Sequence, residues 1–433
     1  MNVGLIGIGT VGGGTYKVLK NNFEEIFNKT GIEIKIVLVA DKNLPLAEKT
    51  VGQDTKVISD AFELVADDNV DLVVELIGGT GVAKDLVKQS LLNGKHVVTA
   101  NKALIAIHGE ELFRIAEENS VNLAYEAAVA GGIPIIKAVR EGLAGNKIEW
   151  IAGIMNGTTN YILTEMKDNN LSFDIALKQA QELGFAEADP TFDIEGIDAA
   201  HKITILASIA FGIPINFDAV YIEGISSLAQ KDITYAEELG YRIKLLAIAK
   251  SDKNSVEIRV HPTLIPESRL VANVSGPMNA VLVKGNMVGP TLYYGAGAGS
   301  EPTASAVVAD IIDIARQSQF TDKPLIPSLG FVKKKIKSKK LLTIDSVLSE
   351  FYLRLTMTNK AGLLAKITNI FASHDISINA MVHKEVQNDN KNPDIFLVTS
   401  KVQESQINKI IDEIQSFPEN NDKIIKLRIE ELT

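Results

Sequence analysis

The glycine-rich segment near the N-terminus constrains the fold more than any other part of the chain. Residues 2–19 read NVGLIGIGTVGGGTYKVL, an apolar run that leads into glycines with G-x-G-x-x-G spacing. The first glycine allows a tight turn after a strand, the second lets the backbone approach a pyrophosphate, and the third permits close helix–strand contact. The pattern predicts a dinucleotide at the helix N-terminus, with a ligand-free glycine turn as the alternative. The residues predicted to contact it are Gly7, Gly9, Thr10, Val11 and Gly12.

Strand and helix signals alternate through the first 130 residues. β-branched runs predict five strands, at residues 2–6, 34–40, 72–76, 96–99 and 122–125. Amphipathic stretches such as 15–27 and 84–93 lie between them. Such alternation predicts a parallel sheet covered by helices on both faces. We therefore expect residues 1–135 to form an α/β domain, a Rossmann-like doubly wound sheet that binds NAD or NADP.

The pattern changes after about residue 147. Strand-like runs, with long helices at about 171–183 and 196–210, predict an α+β domain over residues 136–330. Residues 302–317 form a strongly amphipathic helix, and whether it returns to the first domain is left open.

A basic, polar stretch precedes the last part of the chain. Residues 331–348 predict a linker, and residues 349–433 show the βαββαβ order of an antiparallel sheet with two helices on one side. A chain of 433 residues is too long for one core, so this division into three domains fits its length.

Composition and charge exclude several classes of function. The net charge of -10 argues against non-specific binding to nucleic acid, and the absence of cysteine excludes disulfides and thiolate chemistry. The six histidines show no metal-ligand spacing, so we expect no catalytic metal. The N-terminus lacks the features of a signal peptide, and no apolar run reaches the roughly 18 residues of a membrane span. We therefore expect a cytoplasmic protein with no membrane or nucleic-acid partner.

Further candidates for the cofactor site follow other strands. Asp41 follows the second strand, where a carboxylate holds the adenosine ribose, while Lys42 beside it suits a 2′-phosphate, so NAD and NADP both stay open. Gly79 and Thr80 follow an earlier strand, and Lys102 lies just past the strand at 96–99. Ligands bind at this edge of open α/β sheets, although a solvated loop lysine is the plain alternative for Lys102.

The stretch FAEADPTFDIEGIDAAHK, residues 185–202, concentrates carboxylates ahead of an apolar helix. Asp198 and Lys202 are four residues apart and share one helix face. Taken alone, this spacing favours an ordinary surface ion pair.

Several stretches together resemble the homoserine dehydrogenase family. They are GIGTVGGG, VVTANKALI, YEAAVAGGIPII, GIMNGTTNYIL, GFAEADPTFDIEGIDAAHK and YYGAGAGSEPTASAVVADI, in order from residue 1 to about 330. The tail is similar to an ACT domain, a small regulatory module. The resemblance implies reversible, NAD(P)-dependent interconversion of L-homoserine and L-aspartate 4-semialdehyde, a step towards threonine and methionine. No aspartate-kinase segment precedes residue 2, so we expect a monofunctional enzyme.

The resemblance also implies roles for individual residues. Lys202 would be the main proton donor to the developing alkoxide, with Asp198 in the pocket and Lys102 between cofactor and substrate. A lysine used in this way should have a lowered pKa, which a second lysine nearby would favour. Which of the two lysines gives the proton is left open. The residues expected to line the substrate pocket are Glu187, Asp193, Gly157 and Thr158.

Two further sites are implied only by the resemblance. One is the loop with Gly297 and Glu301, which returns to the nicotinamide side. The other is a structural monovalent cation, usually sodium, and the bare sequence would not have revealed it. Its expected ligands are Glu126 and the backbone carbonyls of Val129, Gly131 and Ile133.

The tail departs from the usual ligand-binding pattern of its family. In NKAGLLAKI, Gly362 is kept, but Asn359 and Ala361 replace the acid and the proline of the D-x-P-G turn. Threonine is the leading candidate ligand, with Asn379 as a contributor, and a purely structural or dimerising role is the alternative. The resemblance also implies a homodimer or homotetramer.

Other functions remain as alternatives at this point. A different Rossmann oxidoreductase with an ACT tail would not show the NGTTNYIL and DPTFDIEGIDAAHK stretches together. A non-catalytic, NAD-binding amino-acid sensor would not need Lys102, Asp198 and Lys202 around one pocket.

Overall fold

The first domain of the computed structural model is a six-stranded, wholly parallel sheet. The structure describes residues 1–321, 323–358, 360–384, 393–420 and 422–433. The strands, in chain order, are β1 (Asn2–Ile6), β2 (Lys35–Ala40), β3 (Lys56–Ile58), β4 (Leu72–Glu75), β5 (His96–Thr99) and β6 (Leu123–Ala124). The helices are α1 (Thr10–Asn21), α2 (Phe23–Thr30), α3 (Leu44–Thr50), α4 (Ala61–Ala66), α5 (Val82–Leu92) and α6 (Lys102–Glu118).

The strand order β3-β2-β1-β4-β5-β6 is that of a dinucleotide-binding sheet. The chain reverses direction across the sheet between β1 and β4, which opens a crevice at their carboxyl ends. The five predicted strands are present. Strand β3 was not predicted, because its three residues, none of them fully buried, give no periodic signal. The predicted helix at 15–27 corresponds to two helices, α1 and α2, which are separated by Asn22. Helix α1 begins five residues before the predicted start, because its glycines hide the apolar periodicity.

The middle domain is built on long antiparallel strands. Its strands are β7 (Ile148–Ile154), β8 (Tyr221–Ile222), β9 (Tyr241–Ser251), β10 (Ser255–Pro266), β11 (Met278–Gly285) and β12 (Gly289–Ala296). Its helices are α7 (Ile135–Lys137), α8 (Gly157–Asp168), α9 (Phe173–Glu182), α10 (Thr191–Ile194), α11 (Ile197–Phe211) and α12 (Gln230–Glu238). Helix α11 is almost wholly buried, and it packs against β7, β9 and β10 and against α6 of the first domain.

The next helix, α13 (Ser300–Ser318), packs on the first domain. Val307 and Ile311 share a core with Val3 and Leu5 of β1. Its N-terminal end meets α1 so closely that a Cβ on Gly14 would lie 2.7 Å from the Ser300 carbonyl oxygen. The helix therefore covers one face of the parallel sheet beside the glycine-rich turn.

The tail contains β13 (Lys340–Leu341), β14 (Leu348–Thr356), α14 (Leu363–Ser373), β15 (Ile378–Lys384), β16 (Asp394–Thr399), β17 (Val402–Gln403), α15 (Glu404–Gln415) and β18 (Ile425–Ile429). The main strands pair antiparallel in the order β18-β14-β16-β15. The predicted βαββαβ order and the mixed α/β class are thus confirmed. No helix in the described part of the chain is long and apolar enough to span a membrane.

The tail sheet continues the sheet of the middle domain. One edge of β10 pairs with β9, and the other receives three short parallel strands in succession, β13, β8 and β18. Residues 331–348 therefore do more than link two units, because Lys340 and Leu341 pair with Ser255 and Val256. Phe331 also packs against Gly212 at the end of α11. A short strand flanked by lysines looks like a linker in the sequence because its partner lies far away in the chain.

Candidate active site

Asp198 lies at the centre of a buried cluster of charges. It sits in the first turn of α11 and is 4 % exposed. Its Oδ2 accepts hydrogen bonds from Lys202 Nζ at 2.6 Å and from Asn156 Nδ2 at 2.9 Å. Its Oδ1 lies 3.1 Å from Lys102 Nζ. One carboxylate therefore bridges two lysines that come from different domains.

Local backbone geometry explains why these side chains meet. Gly196 adopts a left-handed conformation (φ 82°) and starts α11, which places Asp198 and Lys202 on one face of the helix. Lys202 makes a second hydrogen bond to the Met155 carbonyl, 2.6 Å away at the end of β7. Asn156 caps α8 by accepting from the Thr159 N–H at 2.9 Å, so its amide is free to donate to carboxylates.

The two lysines have opposite pKa shifts. Burial lowers the pKa of Lys202, with the charge of Lys102 adding to the effect and Asp198 opposing both. Burial acts the same way on Lys102, but the carboxylates of Asp198, Asp193 and Glu187 outweigh it and raise its pKa. Burial also opposes the charge on Asp198, yet the two ammonium groups hold its pKa well below the usual range. The lowered pKa expected of a proton-donating lysine is therefore found at Lys202.

The residues predicted to bind substrate differ in how closely they contact this cluster. Asp193 Oδ1 accepts from Asn156 Nδ2 at 2.7 Å, and burial with the nearby charge of Asp198 raises the pKa of Asp193. Thr158 Oγ1 donates to the Phe185 carbonyl at 2.6 Å and lies 3.2 Å from Asp193 Oδ2. Gly157 packs so tightly that a Cβ there would be 2.7 Å from the Pro277 carbonyl oxygen. Glu187 is exposed, and its charge reaches the site through its effect on Lys102.

An aromatic stack beside the lysines was missed by sequence reasoning. The Lys102 ammonium lies 5.6 Å from the centre of the Phe192 ring, which stacks on His201 at 5.4 Å. His201 stacks in turn on Phe217 at 4.2 Å, and burial lowers its pKa to about 4. Neither ring nitrogen of His201 finds a hydrogen-bond partner among the described residues. The imidazole is therefore neutral, and its only sequence signal was its place next to Lys202.

The glycine-rich turn has the geometry that a pyrophosphate requires. Gly7 has φ 93°, and a Cβ on Gly12 would lie 1.9 Å from the Gly7 carbonyl oxygen, so only glycine fits. A Cβ on Gly9 would meet nothing within 4 Å, which leaves the backbone open to a ligand. No side chain of the described residues caps α1, so the N–H groups of Thr10 and Val11 at its start are free of such competition. These features fit a dinucleotide phosphate.

The remaining cofactor candidates border the same crevice. Asp41 accepts from the Ile8 N–H through Oδ2 and from the Asn43 N–H through Oδ1, both at 2.7 Å. The Gly79 carbonyl accepts from Asn101 Nδ2 at 2.6 Å, with Thr80 next to it. Asn101 caps α6 directly before Lys102. The cap therefore holds this lysine near the carboxyl ends of the strands.

The first residues of α13 lie close to the glycine-rich turn. Ser300 Oγ donates to the Thr10 carbonyl at 2.9 Å, and the exposed Glu301 pairs with Lys17 at 2.6 Å. A Cβ on Gly131 would lie 2.7 Å from the Gly297 carbonyl oxygen, so the proposed cation loop and the cofactor loop are neighbours.

The candidate cation ligands form a buried turn that contains one carboxyl group, that of Glu126. Glu126 accepts from the N–H groups of Ile136 and Lys137, both at 2.8 Å, and burial beside Asp310 raises its pKa to about 7. Ile133 is buried, and its carbonyl already accepts from the Ile135 N–H at 2.7 Å. Val129 and Gly131 are buried in the same turn. Carboxylate and carbonyl oxygens are the donors that a hard cation prefers, so the chemistry of the set fits.

Comparison with known proteins identifies the family of the chain. The family described as "Homoserine dehydrogenase, NAD binding domain" matches residues 7–126, "Homoserine dehydrogenase" matches 134–312, and "ACT domain" matches 351–419. The homoserine dehydrogenase of Neisseria gonorrhoeae is 51 % identical over 432 residues, which cover 100 % of this chain and 99 % of the relative.

Solved structures give the same assignment. A homoserine dehydrogenase from Thiobacillus denitrificans superposes with a TM-score of 0.95 and 54 % identity, covering 100 % of this chain and 99 % of the other. A hyperthermophilic archaeal homoserine dehydrogenase in complex with NADPH has a TM-score of 0.63 and 28 % identity, covering 75 % and 99 %. The resemblance drawn from the motifs is confirmed: the chain belongs to the homoserine dehydrogenase family, NAD(P)-dependent oxidoreductases, and ends in an ACT domain.

Proposed function

We propose that the chain interconverts L-homoserine and L-aspartate 4-semialdehyde, with Lys202 as the proton donor during aldehyde reduction. The observation that supports this most directly is the Lys102–Asp198–Lys202 cluster, in which one carboxylate holds two ammonium groups. When NADH or NADPH is bound at the glycine-rich turn, it would supply the hydride for the aldehyde carbon. The carbonyl oxygen then gains negative charge and needs a proton from a group nearby.

Lys202 meets the requirements for that proton transfer better than Lys102. Two of its three N–H bonds are directed to Asp198 and Met155, which leaves one for a substrate oxygen. Its lowered pKa makes it the stronger acid, whereas the raised pKa of Lys102 makes that ammonium a lasting positive charge. Lys202 therefore gives its proton to the alkoxide and becomes a neutral amine, while Lys102 stabilises negative charge in the pocket.

The rest of the pocket suits the amino-acid end of the substrate. Asp193 and Glu187 supply negative charge for the α-ammonium group, and Thr158 and Gly157 line the same wall. Asp198 is already shared by two lysines, so it positions them and does not serve as a free counter-ion for the substrate.

We propose either NAD or NADP as cofactor, bound through Gly7, Gly9, Thr10, Val11, Gly12 and Gly79, with Thr80, Asp41, Gly297 and Glu301 at its borders. Both oxygens of Asp41 accept backbone N–H groups, and Lys42 beside it is exposed. Measuring kcat/KM with NADH and with NADPH decides the preference.

Three finer proposals complete the assignment. A sodium ion would stabilise the Glu126 turn between domains, and a rise in Tm with sodium but not with tetramethylammonium would support it. Threonine would bind the tail near Gly362, which has φ 87° and directly precedes α14. The predicted contributor Asn379 already donates from Nδ2 to the Thr399 carbonyl, 3.3 Å away. Asn359 lies outside the described residues. We also propose a homodimer or homotetramer, which sedimentation would test.

The deciding experiment follows NADPH absorbance with L-aspartate 4-semialdehyde for wild type and two variants. Lys202→Met should lower kcat by about 10²–10⁴-fold, the usual contribution of a general acid. Lys95→Met is the matched control, because Lys95 is also buried and donates to two backbone carbonyls, those of Asp67 at 2.6 Å and Val70 at 2.8 Å. Lys95 directly precedes β5 and so lies at the sheet edge opposite Lys102. This control variant should lower Tm and keep kcat. An inactive wild type contradicts the function, and an active Lys202→Met contradicts the donor.

A further inference from the structure

One buried arginine of the tail contacts the middle domain close to the substrate pocket. Arg428 lies on β18 and is fully buried. Its Nη1 donates to Glu223 Oε2 at 2.7 Å, and its Nε donates to Glu404 Oε2 at 2.7 Å. Glu404 belongs to the tail itself, and it also accepts from Lys426 Nζ at 2.7 Å, so two cations share this carboxylate. Glu223 is therefore the second carboxylate of the guanidinium, and its bond to Arg428 crosses between domains.

The residues after Glu223 contact residues 191–196, which comprise the short helix α10 and the two residues after it. We call this segment the substrate loop. The Ile225 N–H donates to the Ile194 carbonyl at 2.9 Å, and Ser226 Oγ donates to Glu195 Oε1 at 2.8 Å. At Gly224 the two backbones approach so closely that a Cβ would lie 2.5 Å from the Ile194 carbonyl oxygen. A shift in residues 223–226 must therefore move the substrate loop.

The substrate loop contains groups that face the two lysines. Asp193 shares Asn156 with Asp198, and the ring of Phe192 lies under the Lys102 ammonium. The loop ends at Gly196, whose N–H donates to the Asp193 carbonyl at 3.0 Å and starts the helix of Asp198 and Lys202. Contacts in close succession thus connect Arg428 of the tail to Asp193 of the pocket.

We propose that Glu223 and Arg428 are positioning residues, through which the tail holds the substrate loop in the conformation that binds substrate. This proposal rests on the proposed function only for the statement that the loop binds substrate. The contacts that hold the loop in place do not depend on it. Arg428 is wholly buried and the Glu223 side chain is 28 % exposed, so the pair also contributes to stability. A role in positioning is therefore tested by readouts at the substrate loop and not by stability.

The test compares Glu223→Ala with Glu257→Ala. Glu257 pairs with another buried arginine at the same strand edge, Arg259, at 3.2 Å, but it is not bonded to residues 223–226. Hydrogen exchange of the amides in residues 191–196 is measured in the full-length enzyme, together with KM for L-aspartate 4-semialdehyde and for NADPH. Glu223→Gln, which keeps an oxygen acceptor, serves as the conservative variant.

We expect Glu223→Ala to speed exchange in the substrate loop and to raise KM for the aldehyde by roughly 3- to 30-fold, the range for coupled residues that touch no ligand. KM for NADPH should stay constant, Glu223→Gln should restore part of the loss, and Glu257→Ala should change neither readout. Wild-type exchange and KM in Glu223→Ala would overturn the proposal. If the wild type lacks activity, the proposed function fails, and the exchange measurement still decides this one.

Discussion

Two buried charge clusters in this molecule use different cations. In the pocket, Asp198 is held by two lysines, Lys102 and Lys202. At the junction between tail and middle domain lysines also form ion pairs, but the deeply buried cations are arginines. Arg354 of β14 forms a fork with Asp232 of α12, with Nε–Oδ1 at 2.5 Å and Nη2–Oδ2 at 3.1 Å. Both carboxylates are almost wholly buried.

The difference follows from what each cation can do with its proton. A buried lysine can release its proton and become neutral, whereas arginine keeps its charge and offers a rigid fork to a carboxylate. Lysines therefore suit the pocket, where a proton must move, and arginines suit a junction that must stay closed. The same substitution should accordingly act mainly on stability at the junction and mainly on activity in the pocket.

The largest expected effect comes from making Asp→Asn in each cluster. Asp232→Asn removes the carboxylate that pairs with the buried Arg354 guanidinium, which should cost about 3–5 kcal/mol in free energy of unfolding. Asp198→Asn should cost less than about 2 kcal/mol, because Lys202 can lose its proton, but it should strongly reduce kcat. Urea titration followed by the fluorescence of Trp150, the one tryptophan, measures the first quantity.

The Asn side chain keeps the local cap in the first variant. Asp232 Oδ2 accepts from the Ala229 N–H at 3.0 Å, and an amide oxygen can do the same. Equal losses of stability in Asp232→Asn and Asp198→Asn would break the contrast between the clusters.

A smaller effect is expected from Arg354→Lys, which keeps the charge and removes the fork. Losing one of two charged hydrogen bonds should cost about 1.5–3 kcal/mol, with kcat unchanged. Arg316→Lys is the control, because Arg316 pairs with Asp313 on the surface at 3.7 Å and should change stability by less than about 0.5 kcal/mol. If both variants unfold like wild type, the fork does not stabilise the junction.

The contrast also shows which parts of the molecule the sequence predicts. The phosphate turn was predictable because Gly7, Gly9 and Gly12 are close in sequence, and their roles follow from local backbone geometry. Asp198 and Lys202 gained a meaning only through the motifs around them, since their spacing alone favours a surface ion pair. Both are in fact buried.

Features that depend on distant pairings were not predictable. Gly157 and Thr158 were predicted to line the pocket, but the link that Asn156 makes between Asp193 and Asp198 requires α8, α10 and α11 to meet. The sequence predicted the tail as a separate domain because β10 and β18 are more than 150 residues apart. No local sequence pattern indicates that these two strands pair. His201 gave no signal beyond its place next to Lys202, because a buried neutral imidazole between two rings resembles any core residue in sequence.

The smallest expected effect is a shift of the pH profile, which separates the two lysines. Aldehyde reduction needs Lys202 as an ammonium, so kcat is full below its pKa and falls as pH rises through it. Lys102→Met removes a charge that lowers the pKa of Lys202, so the alkaline fall of kcat should move to higher pH. Asp198→Asn removes the charge that raises this pKa, so the fall should move to lower pH. Profiles of kcat against pH for wild type and both variants measure the shifts. Because Asp198 is the larger influence of the two, its variant should move further, and shifts in one common direction would assign the proton to another group.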